Sequence, residues 1–485
     1  MTAGQYRHAV GNTNALSNAE RRIFAISILT IALYMANLLV QRSIVHSGPR
    51  WQAALYVLVT VMLFAAYGTV LLMSRRDELS GRRVRMWVIA VPCAANLLLM
   101  PWAPSMSQDM LSYMAHGFLA VVPGGNPFTQ AAIAARQTAI GPELAAAGWH
   151  TDAGITPYGI VWTQIEVTIM KLCGVHIGAA LILLKTVVVA ASLATAYLIW
   201  SFLGRVHPAA QLTGTLAYLW NPLIVVEFAG EGHNDAIMVF FVVAALAACT
   251  SRRPVLSMVS QSLAVLTKYV PILFAPAQLI YLWRARRGTR WFGLEILAAA
   301  AATAVILAVL YASLWAGAHT FDGLLQRGLP ISSASPFGAI NWIVRRSPFA
   351  AAASAITLSL VTLPVLVFVA WTSLRVTDAA SLARSFAWTS LAFVLVASPD
   401  FWPWYACLPV ALIAVAESDR LLWLVMLMSF TARLCAPLDV MREHELLSMQ
   451  AAKGTLTGLG TTLPLIALLI WVYRQRRRPR SPSAP

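Results

Sequence analysis

The sequence predicts an all-α polytopic membrane protein, a bundle of about 12–14 transmembrane helices with a large first external loop bearing short amphipathic helices. Three observations carry that expectation. Hydrophobic residues make up 59% of the 485 positions and charged residues 11%, with a mean hydropathy of +0.70, leaving too little polar surface for a soluble fold of this size. Apolar runs near the ~20 residues that cross ~30 Å of hydrocarbon recur throughout. The arginines, finally, gather in a few short connectors.

The runs begin at Ile23 to Val40, Trp51 to Met73 and Met86 to Ala103. Further spans are expected at 176–203, 209–228, 234–250, 254–284 (a hairpin of two short helices), 291–316, 349–373, 385–398, 402–416, 421–437 and 456–473. The first lies behind Arg21 and Arg22 and is too long for a signal h-region, so it is expected to stay as an anchor. The chain is read as one integral domain over 1–485: residues 1–20 form a cytoplasmic tail, 104–157 an external catalytic loop and 474–485 a basic cytoplasmic tail.

Orientation follows from charge. Arg75, Arg76, Arg82, Arg83 and Arg85 share one connector; Arg252, Arg253, Arg284, Arg286, Arg287 and Arg290 fill two others. Short loops that keep Lys and Arg are cytoplasmic. The segment from Pro104 to Pro157 holds one basic residue, Arg136, against Asp109, Glu143 and Asp152, and is placed outside. The net charge of +16 is therefore mostly a topology signal. Nucleic-acid binding is a poor reading of it, because the basic residues lie in inter-helix loops without an aromatic-interleaved soluble domain. The basic tail suits anionic membrane lipid. The five cysteines lie in or beside apolar segments without metal-ligand spacing and read as packing residues.

Chemistry concentrates on the external side. Ser107 to Pro127 sets Asp109 just past an apolar span and follows it with Tyr113, His116 and the turn Gly124-Gly125-Asn126-Pro127. A carboxylate at the bilayer edge is costly unless it is paired or functional. The loop around it is too long for a bare connector, and Gly117 to Val122, Ala131 to Ile140 and Glu143 to Gly148 read as short helices lying along the membrane surface. Tyr158 and Trp162 follow as stacking groups. A second polar constellation, Glu227 and Glu231 through His233, Asn234 and Asp235, falls at the next external turn. Lys268 sits at the apex of the 254–284 hairpin, and Trp402, Trp404 and Tyr405 open a later helix on the same side. Arg327, Arg345 and Arg346 stand against the positive-inside trend, which points to an external anion such as a lipid phosphate.

The same residues have structural readings. Asp109 and the His233-to-Asp235 run suit helix N-caps, Lys268 can snorkel from a helix end, and the Trp402-to-Tyr405 aromatics can belong to an interfacial belt. Ligands to complete a metal shell around His233 and Asp235 are not evident nearby, so neither a cofactor nor a divalent metal is expected.

In these motifs the chain resembles the GT-C glycosyltransferases, multi-span enzymes that take a sugar from a polyprenyl-phosphate carrier on the extracytoplasmic face. Their acid in a D-x-x-x-Y-x-x-x-G pattern, followed by a G-x-N/D-P-Y/F turn, matches Asp109, Tyr113, Gly117 and Gly125 to Phe128. Segments at Thr156 to Trp162, Asn221 to Met238, Leu266 to Tyr269 and Pro403 to Tyr405 are similar to those of bacterial polyprenol-phosphomannose-dependent α-1,6-mannosyltransferases. The resemblance covers about residues 85 to 410. Two departures stand out: Glu231-Gly232 where the pattern has Gly-Gly, and Ile160 where it has Pro.

The resemblance implies a multi-pass enzyme of the bacterial inner membrane with an extracytoplasmic site, moving a sugar, mannose by this likeness, from a polyprenyl-phosphate donor to a lipid or glycan acceptor. Asp109 would be the general base. Lys268, His233, Arg327, Arg345 and Arg346 would hold the donor phosphate. Tyr113, His116, Asn126, Tyr158, Trp162, Asn234, Asp235, Trp404 and Tyr405 would contact substrate. One displacement with one base inverts the anomeric centre. The competing class is a transporter or flippase of a lipid-linked or anionic solute, which predicts paired half-repeats and broken helices meeting at midplane; no sequence repeat is visible.

Overall fold

A computed structural model describes residues 17–477 apart from 48–49, 80, 152, 288, 290, 324–334 and 417. Among the described residues every regular element is helical. Among the described residues eight helices are long and apolar enough to cross a membrane, among them Asn18–Val45, Trp51–Arg75 and Ile177–Val206. Pro208–Leu219 and Pro222–Gly230, bent by 46° at their junction, together have the length and apolarity of a broken span or a re-entrant pair. Asp235–Thr250, Pro254–Thr267 and Pro403–Ala416 are shorter apolar helices. At ~1.5 Å per residue they fall short of a full bilayer crossing, which leaves room for a polar cavity at one end of the bundle.

Burial separates the interior from the periphery. Cys407 to Val415 is buried all round, and Asp235–Thr250 is nearly so; a helix apolar on every face belongs in such a core. Phe292–Tyr311 is the opposite case, with 6% of its apolar window buried and Leu297, Val305 and Val309 exposed. A broad apolar surface of that kind is suited to acyl chains rather than water.

The loop over 104–157 begins differently from the sequence expectation. Its first helix is Asp109–Leu119, not a helix starting at Gly117, because Met110, Met114 and Phe118 recur at helical spacing and are all buried. Gly117 permits this packing: a Cβ there would lie 2.6 Å from the Glu166 carbonyl oxygen of the Ile160–Cys173 helix. Short helices follow at Ala132–Gln137 and Gly141–Ala146, near the expected positions. The predicted hairpin is present as Pro254–Thr267 and Ala275–Arg286, joined by Lys268, Tyr269 and a 3₁₀ turn over Val270–Phe274. Away from the site, connectors are tied by polar contacts, including Arg22 to Glu78 at 3.0 Å and Arg205 Nη1 to Ser251 Oγ at 3.0 Å.

Candidate active site

The break between Pro208–Leu219 and Pro222–Gly230 positions the groups behind the cavity. Asn221 accepts a hydrogen bond from the Leu223 N–H at 3.0 Å, and Pro222 begins the second half-helix, a favourable start because proline lacks the N–H that would go unsatisfied. The following turn is a π-helical one over Val226–Gly230, a local widening often met at functional sites. Gly232 then adopts φ +81° against the Met110 side chain, a left-handed conformation that suits glycine. Those two features deliver His233 beneath Asp109.

Asp109 is the first residue of its helix and lines a cavity of about 1000 Å³ together with Asp235, Lys268, Tyr158, Trp404 and Tyr405. Gln108, not Asp109, stands at the cap position of that helix. Asp109 Oδ2 accepts from the Tyr113 hydroxyl at 3.4 Å and lies 3.6 Å from His233 Nδ1. His233 is fully buried; its Nε2 lies 3.3 Å from Glu227 Oε2, and its ring stacks on Trp404 with centroids 3.8 Å apart. Burial disfavours charge on this ring, yet the Asp109 and Glu227 carboxylates, one at each nitrogen, carry its pKa up to about 9. Behind it, Arg433 bonds Glu227, and its Nη2 donates to the Tyr56 hydroxyl at 2.9 Å. Asp109, His233, Glu227, Arg433 and Tyr56 thus form a continuous polar ladder running from the cavity into the core.

Lys268 faces the same cavity from the hairpin apex. Nζ donates to Asp235 Oδ2 at 2.5 Å and lies 5.5 Å and 5.9 Å from the centres of the Tyr158 and Tyr405 rings. Asp235 therefore neutralises the lysine rather than capping its own helix. Apolar residues including Met238, Val270, Phe393 and Leu408 also line the cavity.

Other sequence-predicted residues lie elsewhere. The His116 ring nitrogen Nε2 is 3.0 Å from the Gly154 carbonyl, and Asn126 donates to the Leu314 carbonyl at 2.9 Å. Trp162 is buried edge-on to Tyr113. Asn234 is buried as well, and its amide has no hydrogen-bond partner among the described residues. Arg345 and Arg346 end the Pro336–Arg345 helix, where Arg345 Nε donates to Asn341 Oδ1 at 3.2 Å and Arg346 stacks over Trp342 at 3.7 Å. These groups do not line the cavity. Arg327 lies outside the described residues.

Sequence reasoning missed one wall. Asp439, Arg442, Glu443 and Lys453 line the cavity opposite His150, with His150 Nε2 3.4 Å from Glu443 Oε1 and Arg442 Nε donating to Asp439 at 3.3 Å. Nothing in that stretch marks it as more than a polar connector. Arg433 did carry a signal: it is a lone arginine in an otherwise apolar span, which by itself marks a paired or functional group.

The structure is thus a bundle of apolar helices with a cavity holding Asp109, Asp235 and Lys268, and the comparisons give its class as a glycosyltransferase. Residues 23–317 match the family described as alpha-(1->6)-mannopyranosyltransferase, N-terminal domain, and the chain belongs to that family. It is a mannosyltransferase-type enzyme. Among curated proteins, alpha-(1->6)-mannopyranosyltransferase A of Mycobacterium tuberculosis (strain ATCC 25618 / H37Rv) is 26% identical over 407 residues, covering 75% of this chain and 72% of that protein.

Proposed function

We propose that the protein transfers mannose from a polyprenyl-phosphate carrier to a hydroxyl of a lipid or glycan acceptor on the extracytoplasmic face of the bacterial inner membrane, with inversion. The observation that carries this reading is that Asp109 and Lys268 line one cavity together with the apolar side chains of Met238, Val270, Phe393 and Leu408. An ammonium beside apolar surface suits a phosphate attached to an isoprenoid chain. A carboxylate in the same cavity suits a hydroxyl that must lose its proton as it attacks.

In the proposed step Asp109 takes the acceptor hydroxyl proton while that oxygen forms a bond to the anomeric carbon. The bond from that carbon to the phosphate oxygen breaks, and the polyprenyl phosphate leaves with the electron pair. Lys268 meets the charge growing on the leaving oxygen, the point at which a preorganised cation contributes most. A single displacement converts a β-linked donor sugar into an α-linked product; by analogy with glycoside hydrolysis, retention needs two displacements.

The test uses the purified full chain with a labelled polyprenyl-phosphate mannose and candidate acceptors. Transfer should occur with an α-linked product, and Asp109→Asn should lower the rate by the ~10²–10⁴-fold ascribed to a general base. Undiminished turnover in that variant, at equal expression, would sink the role of Asp109. A wild-type protein that uses only a nucleotide sugar would overturn the lipid donor.

A further inference from the structure

A buried ladder of charged groups runs behind Asp109, through His233 and Glu227 to Arg433. We propose that His233 is a positioning residue, an imidazolium clamped between Asp109 and Glu227 that fixes the catalytic carboxylate in its charged form, and that it does not contact the donor phosphate. The assignment rests on the reading of Asp109 as the general base.

Geometry argues it. Each ring nitrogen faces a carboxylate, Asp109 at 3.6 Å and Glu227 at 3.3 Å, and a ring face is covered by Trp404. Both nitrogens are buried without a hydrogen bond of ordinary geometry and meet the carboxylates only as ion-pair contacts, and the ring has no exposed surface through which a phosphate could reach it. Two carboxylates converging on one buried ring need a positive charge between them, since like charges in low dielectric repel strongly. Glu227 is itself held by Arg433, whose guanidinium is fixed by Tyr56. The ladder therefore alternates negative, positive, negative, positive from the cavity inward. His233 thus orients Asp109 through charge, whereas a histidine acting as base would need a nitrogen open to substrate.

The charged groups around these residues come from several elements. Asp109 also meets Tyr113 from its own helix, while Asp235 and Lys268 face the cavity from the neighbouring turn and the hairpin, and Asp400, Asp439, Arg442, Glu443 and Lys453 face it from the later segments. Glu231 lies beside His233 in sequence and binds the backbone ahead of Asp109. His233 Nδ1 lies 3.6 Å from the Asp109 carboxylate.

The experiment is a pH profile of kcat/KM for wild type, His233→Gln and Glu227→Gln, with polyprenyl-phosphate mannose as donor. Removing the imidazolium favours the protonated carboxyl of Asp109, so in His233→Gln the acid limb should move up by about one pH unit, the low end for loss of an adjacent opposite charge. The rate at its optimum should fall ~10–100-fold, as for loss of an orienting partner, with donor KM within about twofold. Glu227→Gln keeps the shape but weakens the hold on the imidazolium proton, so its acid limb should stay in place while the pH at which the imidazolium loses its proton moves down.

A readout free of activity accompanies it. A proton held more tightly in the folded state adds stability below the ordinary histidine range near pH 6.5 and loses it as pH rises, so the wild-type thermal midpoint should fall between pH 6.5 and 9. His233→Gln should be flatter across that window. An unmoved acid limb in His233→Gln, with a tenfold rise in donor KM, overturns the proposal and returns His233 to the phosphate. A wild-type midpoint that does not fall overturns the charged clamp. If instead Asp109→Asn is fully active, it is the general-base reading that fails.

Discussion

The Met106 N–H donates to the Glu231 carboxylate at 3.1 Å, and the N–H groups of Ser105 and Ser107 reach the same carboxylate at 3.2 Å. Three consecutive backbone donors gathered on one acid make a rigid nest, and the chain leaving it enters Asp109 two residues later. Lys185 tightens the same corner from below, donating to the Trp102 and Gly230 carbonyls. The departure from the Gly-Gly pattern at Glu231 thus has a structural role: the extra carboxylate ties the loop that delivers Asp109 to the turn that delivers His233.

Replacing Glu231 with Ala should therefore cost both stability and rate. A fully buried N–H left without an acceptor costs ~1–3 kcal/mol, and these half-buried donors less than that each, while a catalytic group misplaced by ~1 Å can lose ~10²-fold. Thermal unfolding in detergent should show a lowered midpoint, and transfer at saturating donor should fall. Glu231→Gln, which keeps one acceptor oxygen, should recover part of each. A variant with a lowered midpoint but unchanged kcat would show that the nest stabilises the loop without aiming Asp109.

How much of this was legible in the sequence depends on whether a residue acts through a local pattern or through distant partners. Asp109, Lys268, Tyr158, Trp404 and Tyr405 stand in short motifs beside spans, and the cavity gathers all five. His233 was equally visible as a residue, but its surroundings were not: the carboxylates at its nitrogens come from six residues earlier and from another helix. His116 and Asn126 illustrate the converse. Both lie in the most informative stretch of sequence, yet they hold backbone carbonyls at Gly154 and Leu314, because a polar side chain near a buried loop is more readily recruited to satisfy backbone than to face substrate. The wall from Asp439 to Lys453 left no sequence signal, since its charges are spaced like those of any solvated turn. The shortness of the Pro254–Thr267 and Pro403–Ala416 helices was readable, but that it opens a cavity follows only from their packing.

Lys268 and Asp235 should shift donor handling in opposite directions. The ammonium is held by Asp235 at 2.5 Å, so an incoming phosphate has to share or displace that carboxylate. Lys268→Met keeps the apolar stem and removes the charge; turnover with saturating donor should fall by about 10²-fold, the scale of losing one charge-stabilising donor. Asp235→Asn releases the ammonium, so donor KM should fall and inhibition by the free polyprenyl phosphate should strengthen. Because Lys268→Met also strands a buried carboxylate, at a cost of ~3–5 kcal/mol, the double variant Lys268→Met/Asp235→Asn separates folding from phosphate binding. Should the double variant regain full turnover, Lys268 serves only to neutralise Asp235.

The last prediction concerns the side of the membrane, since a carrier-linked donor outside the cell is useful only to a cavity that opens there. Ala145 lies in the Gly141–Ala146 helix of the Asp109 loop, and Ala209 in the Pro208–Ala210 turn that joins Ile177–Val206 to the next span; both are exposed. Single cysteines at the two positions, in a background where Cys93, Cys173, Cys249, Cys407 and Cys435 are replaced, report the sides independently. Four of those five native cysteines are buried, so small apolar replacements that preserve volume are needed to keep the fold. In intact cells a membrane-impermeant thiol reagent should modify Ala145→Cys and spare Ala209→Cys, with both reacting after permeabilisation. The arginine-rich connectors at Arg75 and Arg252 require that result if the short-loop charge bias sets orientation. The opposite pattern would turn the cavity toward the cytoplasm, where the external carrier-linked donor could not reach Asp109.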